Sequence, residues 1–222
     1  MPAKGTMKKN PLVVCLTNTV AAPFTANCLL AVGARPAMVE ELTEAAELTA
    51  AADALLINLG TVHPVQAEAM RRAIHVAREH QVPWVMDPVG IPFLAYRRSL
   101  AEEFLTFEPS LVRGNAAECR VLGTPRCVTL ATGAEDVVFD ATGEVVARLT
   151  GGTPRLTAVT ATGCAQGGLC AAALGRGETP RAAAEWASRL MKAAGERAAA
   201  VAPGIGQFQV ALLDALEALS RD

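Results

Sequence analysis

Short apolar runs alternate with longer Ala-rich segments along this chain, and the alternation predicts strands and helices in turn. The strands fall at Leu12–Leu16, Ala54–Leu59, Trp84–Met86, Ser110–Val112 and Val128–Ala131. Helical periodicity covers Phe24–Val32, Glu41–Ala51, Val65–His80, Tyr96–Thr106 and Asn115–Leu122, each bounded by Gly, Pro or Asn. The rhythm predicts an α/β sandwich around a mainly parallel sheet, because parallel neighbours need a crossover between them. Asp136–Asp140 and Val145–Leu149 alternate apolar residues across Ala141-Thr-Gly143, which predicts an antiparallel hairpin extending the sheet at one edge. Thr179-Pro180 supplies a capping hydroxyl and an N1 proline to a long helix ending at Val201, and a last helix is expected over Val210–Leu219. The sequence contains neither an internal repeat nor a linker, so a single domain over residues 1–222 is expected.

Composition narrows the function classes. The 222 residues are 51% hydrophobic with a formal charge of −2, enough for a substantial core and no reason for a polyanionic partner. Aromatics are 4% and the basic residues are scattered, which argues against nucleic-acid binding. No apolar run approaches the roughly 20 residues of a membrane-spanning helix. Six cysteines (Cys15, Cys28, Cys119, Cys127, Cys164, Cys170) form no Cys-x-x-Cys pair and have no His at metal-ligand spacing, which suits a reducing, cytoplasmic setting. Lys4, Lys8 and Lys9 before Pro11–Leu16 imitate a signal peptide faintly, but Thr17-Asn18-Thr19 breaks the apolar stretch. His63, His75 and His80 are isolated and receive no role, and Trp84, Trp186, Met70 and Met191 read as core.

In a parallel α/β sheet a ligand lies beyond the carboxyl ends of the strands. The segments following the strands here are polar and glycine-rich: Thr17-Asn18, Gly60-Thr61, Asp87-Pro88, Arg113-Gly114-Asn115, Thr132-Gly133 and Thr160-Ala-Thr-Gly-Cys164. They combine backbone access, an arginine, an isolated carboxylate and hydroxyls, the parts that phosphoryl transfer needs. Thr162-Gly163-Cys164 opens an Ala/Gly/Leu-rich helix whose first N–H groups suit an anion, and the field there is expected to lower the Cys164 pKa. The same segment also reads as a glycine turn followed by a small buried cysteine. Arg113-Gly-Asn-Ala-Ala-Glu118 reads either as a capping box or as a site where Glu118 holds a magnesium-bound water and Arg113 neutralises phosphate. Asp87 before Pro88 reads either as a turn former or as a metal-facing carboxylate.

Taken together, Leu16-Thr-Asn18, Phe24-Thr-Ala-Asn27, Gly33-Ala-Arg-Pro-Ala-Met38, Leu56-Ile-Asn-Leu-Gly-Thr61, Asp87-Pro-Val89, Arg113-Gly-Asn-Ala-Ala-Glu118 and Thr162-Gly-Cys164 resemble the hydroxyethylthiazole kinases over nearly the whole chain. The resemblance implies a ribokinase-like three-layer α/β/α sandwich. It also implies transfer of the ATP γ-phosphoryl group to 4-methyl-5-(2-hydroxyethyl)thiazole in thiamine biosynthesis, with Mg2+, in a homotrimer whose active sites lie at subunit interfaces. By position, Met38, Asn18, Ala161 and Gly163 would meet the thiazole, Arg113 and Thr132 the ATP, Asp87 and Glu118 the magnesium, and Cys164 would be the active-site cysteine. A kinase for another hydroxymethyl or sugar-like acceptor and a catalytically silent thiazole-binding protein are the rival expectations.

Three positions depart from the family pattern. Ala161 stands where the family has glycine, and Ala134 where it has glutamate. Leu122-Gly-Thr-Pro-Arg-Cys127 replaces a loop and a full helix, which is expected either to bare one sheet face or to change the strand order.

Overall fold

The computed structural model describes residues 9–123 and 125–221; Lys4 and Lys8 of the signal-like stretch, and Thr124 in the short connection, lie outside them. Among the described residues the strands are β1 (Leu12–Leu16), β2 (Arg35–Met38), β3 (Ala54–Asn58), β4 (Trp84–Asp87), β5 (Leu111–Asn115), β6 (Val128–Thr132), β7 (Asp136–Phe139) and β8 (Val145–Leu149). The helices are α1 (Ala22–Ala31), α2 (Leu42–Ala50), α3 (Pro64–Glu79), α4 (Ala95–Leu105), α5 (Ala116–Leu122), α6 (Thr162–Gly175), α7 (Pro180–Val201) and α8 (Ile205–Arg221), with a 3-10 turn at Pro154–Ala158.

One sheet runs in the order β2-β1-β3-β4-β5-β6-β7-β8. The strands from β2 to β6 are parallel, and the β7–β8 hairpin adds antiparallel strands at one edge. Helices α1, α6, α7 and α8 pack on one face around Leu56, Val85, Leu111 and Leu130. On the other face α2, α3 and α4 cover Leu55, Ile57, Met86 and Val112. Burial on both faces explains why β1 and β3 read as continuous apolar runs rather than alternating ones. None of the described helices is long and apolar enough to cross a membrane.

Two elements differ from the expectation. The edge strand β2 is absent from the apolar pattern because Arg35-Pro36-Ala37-Met38 contains a proline and faces solvent on one side. An edge strand tolerates proline, since one row of its N–H groups has no partner. Helix α8 begins at Ile205 and ends at Arg221, longer at both ends than Val210–Leu219, because Phe208 and Leu216 dock its apolar stripe onto the core.

The short connection leaves the strand order intact. Strands β5 and β6 remain parallel neighbours, Leu111 opposite Val128 and Asn115 opposite Thr132, with the seven-residue α5 as the crossover. What changes is the cover. On the α2–α4 side, Thr129, Ala131, Val137 and Phe139 line a cavity of about 480 Å³ with Cys119 and Pro125. The bared-face alternative is therefore the one realised.

Helix α6 is the centre of the layer above the sheet, and it crosses α1 at Gly168, where a Cβ would stand 3.0 Å from Thr25 Cγ2. Gly168→Val is expected to destabilise the fold by about 1–3 kcal/mol through overpacking, read as a lower urea midpoint with an unchanged slope.

Candidate active site

The alternation of side chains along the strands assembles the site. Leu56, Val85 and Leu111 face α6 from β3, β4 and β5, and Leu130 faces α7 from β6. Two residues further on, the same face ends in Asn58, Asp87, Arg113 and Thr132. Register places Asn58 beside Asp87, so the Asn58 amide donates to Asp87 Oδ2 at 2.8 Å. Asn58 Oδ1 accepts from Asn18 Nδ2 at 2.9 Å and from the Gly60 N–H at 2.9 Å. Asn18 Nδ2 also stands 3.4 Å from Cys164 Sγ, which ties the exit of β1 to the start of α6.

Arg113 closes the cluster from the other side. Its Nη1 lies 3.7 Å from Asp87 Oδ2, too far for a hydrogen bond but close enough for charge pairing. Its Nη2 donates to Thr132 Oγ1 at 2.8 Å and more weakly to Gln166 Oε1 at 3.5 Å. The guanidinium lies against Gly163, where a Cβ would stand 2.7 Å from Nη2, so any side chain there would displace the arginine. The first turn of α6 has no side-chain cap because Ala161, its N-cap, has no acceptor to offer. Gly163 and Cys164 line the cleft, and their N–H groups, in a first turn without a side-chain cap, are donors of the kind that suits an anion.

The capping box read from the Arg113–Glu118 segment is present. Asn115 Oδ1 accepts from the Glu118 N–H at 2.9 Å, and Glu118 Oε2 accepts from the Asn115 N–H at 2.8 Å, which completes a capping box. The other oxygen, Oε1, accepts from the Gly90 N–H at 2.8 Å, and the carboxylate lines the cleft. This cleft encloses about 440 Å³ between Arg113, Glu118, Thr132, Gly163, Cys164 and Gln166. Asn18 and Asp87 lie beneath it, at 5% and 0% exposure. Met38 is not brought to the cleft within one chain; it ends the edge strand β2, 37% exposed.

The electrostatics correct one expectation. Burial pushes the Cys164 thiol up to about 11, and the neighbouring Asp87 charge adds to the rise. Hydrogen bonds from Asn58 and Asn18 and the charge of Arg113 oppose it without reversing it. The direction is opposite to the lowering expected from the helix start, and it favours the thiol at neutral pH. Burial likewise raises the Asp87 carboxyl to about 7; Arg113 opposes this, Glu118 adds to it, and the Asn58 hydrogen bond opposes it.

Several residues of the site escaped the sequence reading. Asn58 carried a signal, a lone amide in an otherwise apolar strand, and the parity of β3 makes it part of the cluster. Gln166, Asp136, Ser188 and Lys192 carried none, because each sits in a helix or hairpin whose local pattern is ordinary. Gln166 Nε2 donates to Asp136 Oδ2 at 3.2 Å, and the Ser188 hydroxyl donates to the same oxygen at 2.7 Å.

The profile of the hydroxyethylthiazole kinase (HK) family matches residues 4–124 and 120–222, two stretches that meet at the short connection. The hydroxyethylthiazole kinase of Shigella sonnei (strain Ss046) is 42% identical over 241 residues, covering 96% of this chain and 91% of that protein. That of Escherichia coli (strain K12) is 41% identical with the same coverage. Both alignments are longer than the 222 residues of this chain, so these relatives carry a segment it lacks. The solved structure of a hydroxyethylthiazole kinase protein from Pyrococcus horikoshii OT3 superposes with a TM-score of 0.89 at 30% identity, covering 96% of this chain and 90% of that one. A ribokinase-like superfamily protein from Enterococcus faecalis V583 shares the fold, with a TM-score of 0.73 at 14% identity over 100% and 90% of the two chains.

Two stability predictions follow from strained or buried groups. Ala161 adopts φ +70°, a left-handed conformation in which its methyl is crowded by the backbone. Ala161→Gly is expected to raise stability by about 1 kcal/mol, seen as a higher Tm. A carboxyl whose folded pKa exceeds its unfolded value makes the folded state bind more protons, so its contribution to stability falls as pH rises from about 4 to about 7. Asp87→Asn removes that penalty. Without divalent cations it should stabilise the protein by on the order of 2 kcal/mol at pH 8, the gain fading towards pH 4; an equal gain at both pH values would contradict the burial of the charge.

Proposed function

The chain belongs to the hydroxyethylthiazole kinase family, and on that footing we propose that it transfers the γ-phosphoryl group of ATP to the primary alcohol of 4-methyl-5-(2-hydroxyethyl)thiazole. Phosphorylation of hydroxyethylthiazole in thiamine biosynthesis is the activity that membership brings. The observation that carries the site assignment is the convergence of Asn18, Asp87, Arg113 and Cys164, from four separate segments, on one rim beside the uncapped start of α6. A small alcohol, a polyphosphate and a cation can meet there.

Each residue then has a role set by its geometry. Arg113 and Thr132, already hydrogen-bonded to one another, face the nucleotide phosphates. The Gly163 and Cys164 N–H groups stabilise the oxygens of the group in transfer. Asn18 and the Cys164 thiol orient the attacking hydroxyl, and the raised thiol pKa makes positioning rather than proton abstraction the cysteine's contribution. This suits a loose transition state, in which little base catalysis is needed.

The residues present also fit a magnesium ion. Asp87 Oδ1 is buried and has no hydrogen-bond partner, a carboxylate oxygen disposed to accept a cation or its water. Around the cleft, Arg113 and Lys192 face three carboxylates, Asp87, Glu118 and Asp136, so a polyphosphate would meet no net positive charge from the protein alone. Asp87 and Glu118 are the residues that would hold the ion, directly or through water, and its chemistry is to neutralise phosphate oxygens and hold them in line.

Assembly completes the proposal. Met38, Val20 and Val65 are exposed near the rim, at 37%, 59% and 69%. A homotrimer covering them would bring Met38 of one subunit towards the thiazole site of the next. Cysteines left free in the fold, together with the absence of a membrane-crossing helix among the described residues, support a cytoplasmic setting.

The test is ADP release from purified protein with a panel of alcohols, the thiazole alcohol among them, across a magnesium titration. Cys164→Ser is expected to lower kcat about 10- to 100-fold, and Asp87→Ala to remove nearly all magnesium-dependent turnover. Thiazole phosphorylation at the unaltered rate in both variants would remove the assigned roles. Turnover with another alcohol but not with the thiazole would shift the acceptor.

A further inference from the structure

One buried cation of the cleft wall, Lys192, has no part in the roles assigned above. Lys192 lies in the wall of the cleft at 7% exposure, on the face of α7 that also carries Ser188 one turn before it and Glu196 one turn after. Its ammonium stands 3.4 Å from Asp136 Oδ1 and donates to the carbonyls of Ala134 at 3.0 Å, Gly151 at 3.2 Å and Gly133 at 3.5 Å. Those carbonyls belong to two loops, the β6–β7 turn directly after Thr132 and the exit of β8. At that exit Gly151 and Gly152 adopt φ of +91° and +88°, and the Gly152 N–H donates to Glu196 Oε1 at 2.6 Å.

Asp136 is the hub of the same network. Its Oδ1 accepts from the Gly133 N–H at 3.0 Å, and its Oδ2 accepts from Ser188 and Gln166, the latter also contacting Arg113. The Gly133 residue is therefore held at both ends, its N–H by Asp136 and its C=O by Lys192. A continuous polar path runs from Arg113 through Gln166 and Asp136 to Lys192. Burying such a pair contributes little net stability compared with apolar packing. What it does fix is the direction of two glycine loops and one arginine beside the phosphate-handling end of the cleft.

We propose that Lys192, anchored by Asp136, is a positioning residue for the nucleotide: it holds the Thr132–Gly133 turn and the Gly151 loop against α7 and so presets Thr132 and Arg113 for the phosphates. The inference rests on the reading of the cleft as the ATP site. It separates the nucleotide half of the site, which Lys192 organises, from the alcohol half around Asn18 and Cys164, whose side chains are not among its polar partners.

The experiment compares full-length wild type with Lys192→Met, Lys192→Arg and the double variant Lys192→Met/Asp136→Asn. ATP affinity is measured by calorimetry, and KM for ATP and for the thiazole alcohol by steady-state kinetics. The double variant guards against loss of folding from an unpaired Asp136, since it removes both charges together. Lys192→Met and the double variant should weaken ATP binding and raise its KM about tenfold or more, leave the thiazole KM within about twofold, and Lys192→Arg should recover part of the loss. A folded double variant with wild-type ATP affinity, or an equal rise in both KM values, overturns the proposal. Wild type that binds ATP without phosphorylating the thiazole would sink the acceptor assignment and leave Lys192 to be judged by affinity. Wild type that binds no ATP would sink both.

Discussion

A carboxylate held out of water at the end of a central strand organises this molecule. Asp87 is fully buried, accepts one hydrogen bond from Asn58, faces the Arg113 guanidinium at 3.7 Å and has one oxygen without a partner. A charge in such a place is costly, so its neighbours must supply donors and positive potential within a few ångströms. Asn58 can do so because β3 and β4 are parallel and in register. Arg113 can do so because Gly163 leaves its guanidinium room beneath α6. The alternation of core and site along each strand, Leu56 then Asn58, Val85 then Asp87, Leu111 then Arg113, turns the end of a dry hydrophobic layer into a polar floor.

The same burial sets the chemistry. It raises the Cys164 thiol to about 11 and the Asp87 carboxyl to about 7. A protonated cysteine and a reluctantly charged carboxylate suit the proposed roles of positioning reactants and receiving a cation better than removal of a proton by strong basicity. The uncapped first turn of α6 supplies N–H donors at no reorganisation cost, and it owes that freedom to Ala161, which has no side-chain acceptor but is held in a left-handed conformation.

The shortened connection shows how much a parallel sheet can lose on one face. Helix α5 and the short connection after it carry the chain from β5 to β6 as parallel neighbours, with Asn115 opposite Thr132. On the opposite face Ala131 and Phe139 line an apolar cavity. Thr132 and Gly133 border both spaces, so the Thr132 end of the cleft is the part nearest to the change. The Lys192–Asp136 network grips that turn from the covered side.

The sequence by itself determined the alternation of strands and helices, the hairpin at the edge, the capping box at Asn115 and the set of polar loops, because each is written in local periodicity or in residues adjacent along the chain. It also carried the family likeness, through motifs that recur in order. It did not determine the edge strand β2, whose proline obscures the strand pattern, or the outcome of the short connection, which depends on how β5 and β6 pair. Tertiary structure alone decided that Asn58 serves Asp87 and that Gln166, Asp136 and Lys192 reach Arg113 and the glycine loops, since these contacts join residues far apart in the chain. It also decided the direction of the Cys164 pKa: a helix start is visible in sequence, but the burial that raises the thiol pKa exists only once the layers are packed.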